Sequence, residues 1–87
     1  MYYCYLLRCA DDTLYTGVTT DLARRLEEHN DGRGARYTAS RRPVRLVWKE
    51  EHSNRSSAQR REAEIKRKSR RQKKMLITER AGPGARS

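Results

Sequence analysis

The apolar and polar positions of the first twenty residues predict a β-hairpin. Residues 2–9 (YYCYLLRC) and 13–18 (TLYTGV) have the aromatic and aliphatic content of strands, and ADD between them supplies turn chemistry. A three-residue loop would pair Tyr5 with Gly17, and would place Tyr5 and Tyr15 on the same face. A four-residue loop would place the two tyrosines on opposite faces. In the first register Gly17 leaves room above the Tyr5 ring, as strand glycines do where a backbone or ligand approaches closely.

The next segment has helical spacing. Leu22, Arg25, Leu26 and His29 lie at i, i+3, i+4 and i+7, so they share one stripe of a helix that Asp21 can cap. The two leucines favour a core position for this stripe. The guanidinium and the imidazole on it need partners or a ligand, because burying an unpaired cation costs several kcal/mol. The stripe therefore indicates a functional site.

A third strand is predicted beyond Pro43. Residues 44–50 (VRLVWKE) alternate in hydrophobicity, with Val44, Leu46 and Trp48 expected on one face. The preceding segment, residues 33–42, has the composition of a basic loop. Its Tyr37 has two open interpretations, stacking on a nucleic-acid base or covering the core.

Two capping boxes predict the remaining helices. Ser56, with a glutamine three residues later, opens a helix that carries Ala58, Glu62 and Ile65 on one stripe, so a carboxylate takes an inward position. A second box at Ser69 opens a last helix, in which Met75 and Leu76 are expected to face inward.

The predicted order is therefore β-β-α-β-α-α. This order describes an α+β fold in which a small three-stranded antiparallel sheet is flanked by helices. With 87 residues, 34% of them apolar, and a mean hydropathy of −1.16, the chain is expected to form one small domain over residues 1–80. Residues 81–87 (AGPGARS) lack a hydrophobic period and are expected to be a disordered tail.

The compartment is predicted to be the cytoplasm. No apolar run approaches the ~20 residues of a membrane-spanning helix, and Met1 leads directly into a strand without a signal-peptide pattern. Cys4 and Cys9 would lie roughly 16 Å apart on one strand, too far for a disulfide. They are interpreted as two small hydrophobic residues in a reducing compartment.

The charge of +10 is concentrated in the second half of the chain. Residues 1–32 hold three cations and six acids, whereas residues 33–49 hold six cations and no acid, and residues 53–80 hold eleven cations and three acids. Such polarity favours a polyanionic partner, nucleic acid above all, over a merely solvated or lipid-facing surface. The expected phosphate contacts are Arg33, Arg36, Arg41, Arg42, Arg45, Arg60, Arg61, Lys66, Lys68 and Lys73.

Five polar residues on inward or strand-face positions form a candidate site: Tyr5, Tyr15, Arg25, His29 and Glu62. Each one also has a structural explanation. Hairpin tyrosines usually pack, Arg25 could pair with Glu62 in a buried ion pair, and His29 could complement the helix dipole. Together they are more than the stability of a small domain requires.

Hydrolysis of a phosphodiester needs such a set. A fixed guanidinium stabilises the charge that develops in the transition state, and a phenol or imidazole can move the proton of the attacking water. A carboxylate can hold a divalent cation. With one candidate carboxylate, Mg²⁺ with mostly water and phosphate ligands fits better than a closed protein cage.

The sequence resembles the GIY-YIG nuclease superfamily. The resemblance rests on the spacing Tyr5, Tyr15-Thr16-Gly17, Arg25, His29 and Glu62, with LYTGVTTDLARRLEEHN and RSSAQRREAEIK as the most specific segments. Within the superfamily it is most similar to the small stand-alone UPF0213 (YhbQ-like) group, over residues 2–77. The first motif reads YCY and keeps only its tyrosine, and the second reads YTG and keeps its tyrosine and glycine.

The resemblance implies a metal-dependent hydrolase that cuts one strand at a time. It makes Glu62 the ligand of one Mg²⁺ or Mn²⁺ ion, and Arg25 the residue that binds the scissile phosphate. Tyr5 is the expected water-activating base, with Tyr15 and His29 orienting water, phosphate or leaving group. An unperturbed phenol titrates near ~10, so the metal or Arg25 would have to lower that value.

The expected substrate is DNA, recognised by structure rather than by sequence, in repair or another processing reaction. Family members that cut defined targets often carry an additional DNA-recognition domain, and none is expected in this sequence. Affinity is then expected to come from phosphate contacts, which carry little sequence information. Two alternatives remain open. One is a non-catalytic protein that binds DNA or RNA on the same scaffold, and the other is a nuclease that acts on RNA. The oligomeric state is left open.

Overall fold

The computed structural model describes residues 1–81, except for the side chains of residues 80 and 81. Three strands and four helices follow in the order β1 (Tyr2–Arg8), β2 (Leu14–Thr19), α1 (Leu22–Asn30), α2 (Arg36–Ala39), β3 (Arg45–His52), α3 (Arg55–Lys66) and α4 (Arg70–Ala81). The strands form one antiparallel sheet in the order β2-β1-β3. This confirms the predicted fold class, and α2 adds one helical turn inside the predicted basic loop. Helix α4 includes the first residue of the predicted tail, and the rest of that tail lies outside the described residues.

The hairpin has the register of the shorter loop. Tyr5 pairs with Gly17 and Leu7 pairs with Tyr15, and the Cys9 amide donates to the Thr13 carbonyl at 2.8 Å. Residues two apart on a strand, and residues directly opposite each other, face the same side. The prediction that Tyr5 and Tyr15 share a face is therefore confirmed.

Each face of the sheet carries its own apolar cluster. On one face Tyr5, Leu7 and Cys9 pack with Leu22 and Leu26 of α1, as the helical stripe predicted. The other face packs against α3 and α4 through a cluster of Cys4, Leu6, Trp48 and Ile65, with Leu76 and Ile77 at its margin. The sheet is thus covered by helices on both sides.

The predicted face of the third strand is wrong in one respect. Leu6 pairs with Trp48, but the next residue, Leu7, pairs with Leu46, so β3 carries one extra residue at Val47. An extra residue reverses the side-chain alternation beyond it. Val44 and Leu46 consequently pack with Leu7, while Trp48 is buried on the opposite face.

The last two helices follow the predicted pattern with two corrections, one to the cap of α3 and one to the inner face of α4. The cap of α3 is Asn54, whose side chain accepts from the Ser57 amide at 2.8 Å, two residues before the predicted cap at Ser56. Ser69 forms the predicted reciprocal box with Gln72, at 2.9 and 3.2 Å. In α4 the residue next to Leu76 on the inner side is Ile77, whereas Met75, predicted inward, is 54% exposed.

Asn30 ties the end of α1 to the start of β3. Its amide nitrogen donates to the Val44 carbonyl at 2.9 Å, and its amide oxygen accepts from the Val44 amide at 2.7 Å. Two bonds from one side chain mimic a strand pair, so they fix α1 relative to the sheet. This anchoring matters because α1 carries two of the predicted site residues.

Both cysteines are free and buried, as predicted. Burial raises the pKa of the Cys4 thiol to about 12, so it stays protonated at neutral pH and behaves as an apolar residue. Across residues 1–81, no helix combines the length and the apolar character that crossing a bilayer requires.

Candidate active site

A polar cleft of about 550 Å³ lies where the β1–β2 hairpin meets α1 and α3. Its walls include four of the five predicted site residues, Tyr5 and Tyr15 from the hairpin, Arg25 from α1 and Glu62 from α3. The fifth, His29, is fully buried directly behind the tyrosines. The centroids of the His29 and Tyr15 rings are 5.3 Å apart. The structure therefore brings together residues that are up to 57 positions apart in the sequence.

Gly17 makes room for the Tyr5 ring. A Cβ atom built on Gly17 would lie 2.4 Å from the Tyr5 hydroxyl oxygen and 2.5 Å from the ring carbon that bears it. These distances are far shorter than van der Waals contact, so only glycine allows the ring to lie across β2. The second motif thus keeps its glycine for a steric reason.

Tyr5 begins a chain of hydrogen bonds that ends at the backbone. Its hydroxyl lies 3.1 Å from Nε2 of His29, and Nδ1 of His29 lies 2.7 Å from the Thr38 hydroxyl. Thr38 donates to the Ala35 carbonyl at 3.1 Å, so it accepts from a protonated Nδ1. This tautomer leaves Nε2 as an acceptor for the Tyr5 hydroxyl.

Burial governs the protonation of this pair. It raises the pKa of Tyr5 above its ordinary value, although the Arg25 guanidinium beside the hydroxyl offsets part of the effect. Burial, with a further contribution from the Arg25 charge, lowers the pKa of His29. At neutral pH Tyr5 is therefore a phenol that donates, and His29 a neutral imidazole that accepts.

The lowered pKa of His29 predicts that the protein loses stability in mild acid. Above pH 6.5, the pKa of His29 in the unfolded chain, the imidazole is mostly neutral in both the folded and the unfolded state. As the pH falls below this value, the unfolded chain binds a proton that the folded protein refuses. The free energy of unfolding should then decrease, by at most about 1.4 kcal/mol per pH unit, until the lowered folded pKa is reached.

The measurement is urea unfolding between neutral pH and mild acid, alongside an NMR titration of the His29 ring. The background is His52→Gln, which leaves His29 as the sole histidine because the sequence has two. A titration midpoint at or above 6.5 for His29 would contradict the account.

Arg25 is held in place by two partners. Its Nη1 donates to Glu28 at 2.9 Å and its Nη2 donates to the Gly34 carbonyl at 3.0 Å. Burial alone would lower the pKa of Arg25, but the neighbouring Glu28 carboxylate and Tyr5 hydroxyl outweigh burial and raise that pKa. The guanidinium is a fixed cation on the cleft wall, and its ion pair is with Glu28 rather than with Glu62.

Glu62 is half-buried on the opposite wall. Its side chain is 24% exposed, and one carboxylate oxygen pairs with Lys66 at 3.3 Å. A second carboxylate of α3, Glu64, points away and pairs with Arg61. Among the described residues there is no cluster of three protein ligands for a metal. Glu28 also lines the cleft, but its carboxylate is paired with Arg25, so Glu62 is the carboxylate that would hold a hard cation together with water and phosphate oxygens.

Tyr37 takes a position between its two predicted roles. Its ring stacks on that of Tyr15, with centroids 5.9 Å apart and planes at 27°, and the Arg41 guanidinium lies 3.9 Å from its centroid. The ring is 39% exposed. Tyr37 therefore supports Tyr15 from behind instead of entering the core.

The cleft also includes arginines that the sequence reading missed. Arg24 of α1 and Arg55 of α3 line it, together with Gln59, whereas none of the ten residues predicted to bind phosphate belongs to its lining. Four of those ten are held in ion pairs, Arg33 with Asp31, Arg41 with Asp11, Arg61 with Glu50 and Lys66 with Glu62. Twenty-one lysines and arginines in one short sequence give no signal that distinguishes the cleft residues from the rest.

Comparison with known proteins identifies the family. Residues 1–75 match the model of the GIY-YIG catalytic domain. The chain belongs to the GIY-YIG family. It is 52% identical over 79 residues to a UPF0213 protein of Staphylococcus haemolyticus, covering 91% of this chain and 96% of that one. It is 49% identical over 81 residues to a UPF0213 protein of Natronomonas pharaonis, covering 93% and 95%.

Two solved structures have a similar fold. The UPF0213 protein of Bacillus halodurans superposes with a TM-score of 0.61 at 44% identity, covering 97% of this chain and 90% of that one. A protein of Enterococcus faecalis gives the same TM-score and identity over 88% and 82%. The predicted resemblance to this family and to its UPF0213 group is confirmed. Membership of the GIY-YIG catalytic-domain family indicates a domain of the nuclease type and implies nucleic-acid binding in general.

Proposed function

We propose that this protein is a divalent-metal-dependent endonuclease that hydrolyses phosphodiester bonds in cytoplasmic DNA, with little sequence specificity. The observation that carries the proposal is the meeting of Arg25, Glu62 and Tyr5 in one polar cleft. A guanidinium, a carboxylate and a phenol on facing walls are the groups that phosphodiester hydrolysis uses. A structural role alone would not require them to face a shared open space.

Arg25 is the group proposed to bind the scissile phosphate. Glu28 and the Gly34 carbonyl hold its guanidinium before any substrate arrives, so little reorganisation is needed when the substrate binds. The charge on the phosphoryl oxygens increases in the transition state, and a preorganised cation stabilises that state more than the ground state.

Tyr5 is proposed to accept a proton from the attacking water while it passes its own proton to Nε2 of His29. The observed bond of 3.1 Å provides the path. In the free protein the raised pKa of Tyr5 and the lowered pKa of His29 oppose this transfer. A bound phosphodiester adds negative charge near His29, which raises the basicity of the imidazole. Substrate binding would thus prepare the relay, and Tyr15 would orient the water or the leaving group.

Glu62 is the proposed ligand for a single Mg²⁺ or Mn²⁺ ion. Such an ion polarises a phosphoryl oxygen and lowers the pKa of bound water. Among the side chains of residues 1–79, Lys66 holds one oxygen of the carboxylate and leaves the other free for this purpose.

The substrate is proposed to be DNA selected by structure, in repair or another processing reaction. The net charge of +10 favours nucleic acid, and arginine contacts to phosphate carry no sequence information.

The test offers the wild-type protein a matched panel in Mg²⁺, namely supercoiled plasmid, linear duplex, branched DNA, single-stranded DNA and RNA of the same sequence. We expect nicking of DNA at many positions, with preference for one structural form. Cutting of RNA alone would assign the activity to RNA, and a steep preference for one short sequence would contradict recognition by structure. Binding without cutting of any member would favour a non-catalytic role on the same scaffold.

A further inference from the structure

Three arginines line the cleft, and they differ in what holds them. Arg25 is fixed by its ion pair with Glu28. Arg24, its neighbour on α1, and Arg55, the first residue of α3, are both exposed at the cleft. Within residues 1–79, neither Arg24 nor Arg55 has a carboxylate at ion-pair distance, although the Arg24 charge helps to lower the pKa of Glu28. The two side chains are therefore available to an external anion.

Arg24 and Arg55 stand on different walls of the cleft. One wall is α1 and the other is α3, with the tyrosines and Gly17 of the hairpin between them. An anion bound at Arg25 would have Arg24 beside it and Arg55 across the cleft. A polyanion with regularly spaced phosphates can offer a separate phosphate to each of the three arginines.

The opposite flank of α3 has a different character. Arg60, Arg61 and Arg67 line a separate depression there, together with Glu64 and His52. Arg61 is neutralised by ion pairs with Glu50 and Glu64, at 3.0 and 3.1 Å. On one flank of α3, Arg55 faces the cleft without an ion pair to any carboxylate in the described part of the chain. On the other flank, the charge of Arg61 is neutralised by two carboxylates.

We propose that Arg24 and Arg55 form a phosphate-binding subsite for the backbone phosphates on either side of the scissile one. The nucleic-acid backbone then runs through the cleft between α1 and α3, and not around the far flank of α3. This inference rests on the proposed function, because only a nuclease has a scissile phosphate. The binding of a phosphate backbone at these residues can nevertheless be measured without cleavage.

The subsite has a kinetic signature that differs from that of Arg25. Flanking phosphates keep the same charge in the ground state and the transition state, so contacts to them contribute equally to both. Loss of such a contact raises KM and leaves kcat unchanged. Loss of Arg25, where charge develops, lowers kcat instead.

The binding test uses Arg24→Gln, Arg55→Gln and the control Arg67→Gln. Arg67 directly follows α3 and lines the depression on its far flank. Fluorescence anisotropy of a short fluorescein-labelled DNA, single-stranded and duplex, is measured in EDTA at several salt concentrations. Each of the first two variants should reduce the slope of log K against log salt by about 0.7 to 0.9, the value for one phosphate contact. Arg67→Gln should leave the slope unchanged.

Equal slope changes in Arg55→Gln and Arg67→Gln would overturn the subsite, since they would mean a diffuse cationic surface. Unchanged slopes in both Arg24→Gln and Arg55→Gln would overturn it as well. All three arginines are exposed, so their substitution leaves the buried clusters intact.

The kinetic test repeats the comparison under single-strand nicking conditions with Mg²⁺. Arg24→Gln and Arg55→Gln should raise KM several-fold at constant kcat, while Arg25→Gln should lower kcat. A fall in kcat for Arg55→Gln would contradict a flanking role. If the wild type binds DNA with the predicted salt dependence and cuts nothing, the proposed function fails while the phosphate subsite stands.

Discussion

Glu62→Gln should lower the rate of metal-dependent DNA nicking about a thousandfold. The carboxylate is the one acidic side chain on the α3 wall of the cleft, and glutamine preserves its shape while it removes the charge that attracts a divalent cation. A bound cation contributes several kcal/mol of transition-state stabilisation, and each 1.36 kcal/mol corresponds to tenfold in rate. The effect should appear in kcat, since the ion acts where charge develops.

The matched control is Glu64→Gln. Glu64 lies two residues away on the same helix, but it is exposed and pairs with Arg61 on the far flank. The Glu64→Gln variant should nick DNA at nearly the wild-type rate. Thermal unfolding of both variants tests for a folding defect. We expect none, because Glu62 is only half-buried. Full activity of Glu62→Gln in Mg²⁺ would show that this carboxylate does not hold the ion.

Gly17→Ala should both destabilise the protein and abolish most of its activity. The new methyl group would lie 2.4 Å from the Tyr5 hydroxyl oxygen, so the ring has to move. Overpacking of this kind costs about 1 to 3 kcal/mol. The ring cannot move without breaking the bond to Nε2 of His29, and this breaks the proposed proton path at its first step.

A double-mutant cycle with Tyr5→Leu separates this clash from a general intolerance of alanine in β2. Leucine lacks the ring atoms nearest to the added methyl, so Gly17→Ala should be almost neutral for stability in the Tyr5→Leu background. Urea unfolding of the four proteins gives the coupling free energy. An equal loss of stability in both backgrounds would refute the steric explanation, whereas restored stability without restored nicking would support it.

Local pattern was sufficient for the hairpin and for α1. The loop of three residues fixed the register that pairs Tyr5 with Gly17, and the helical stripe correctly placed Leu22 and Leu26 against the sheet. The face of Trp48 was not predictable in the same way. The bulge at Val47 reverses the alternation within β3, and the sequence of β3 alone contains no mark of it.

For the candidate site, the sequence predicted residues that the structure brings together, but not how they are connected. The resemblance to GIY-YIG nucleases named Tyr5, Arg25, His29 and Glu62 together. It did not reveal that His29 is fully buried and bonded to Thr38, because α2, which carries Thr38, reads as a loop in the sequence. The same holds for Arg24 and Arg55, which only tertiary packing brings to the cleft. The roles of all these residues stay predictions until variants are measured.

The most direct test of the central claim is removal and return of the metal with the wild-type protein. The protein is treated with EDTA and assayed on supercoiled plasmid, and Mg²⁺ is then added in excess of the chelator. Hydrolysis at the cleft predicts no nicked plasmid in EDTA and recovery of nicking when Mg²⁺ returns. Undiminished nicking in EDTA, or its absence under both conditions, would contradict the assignment of a metal-dependent endonuclease.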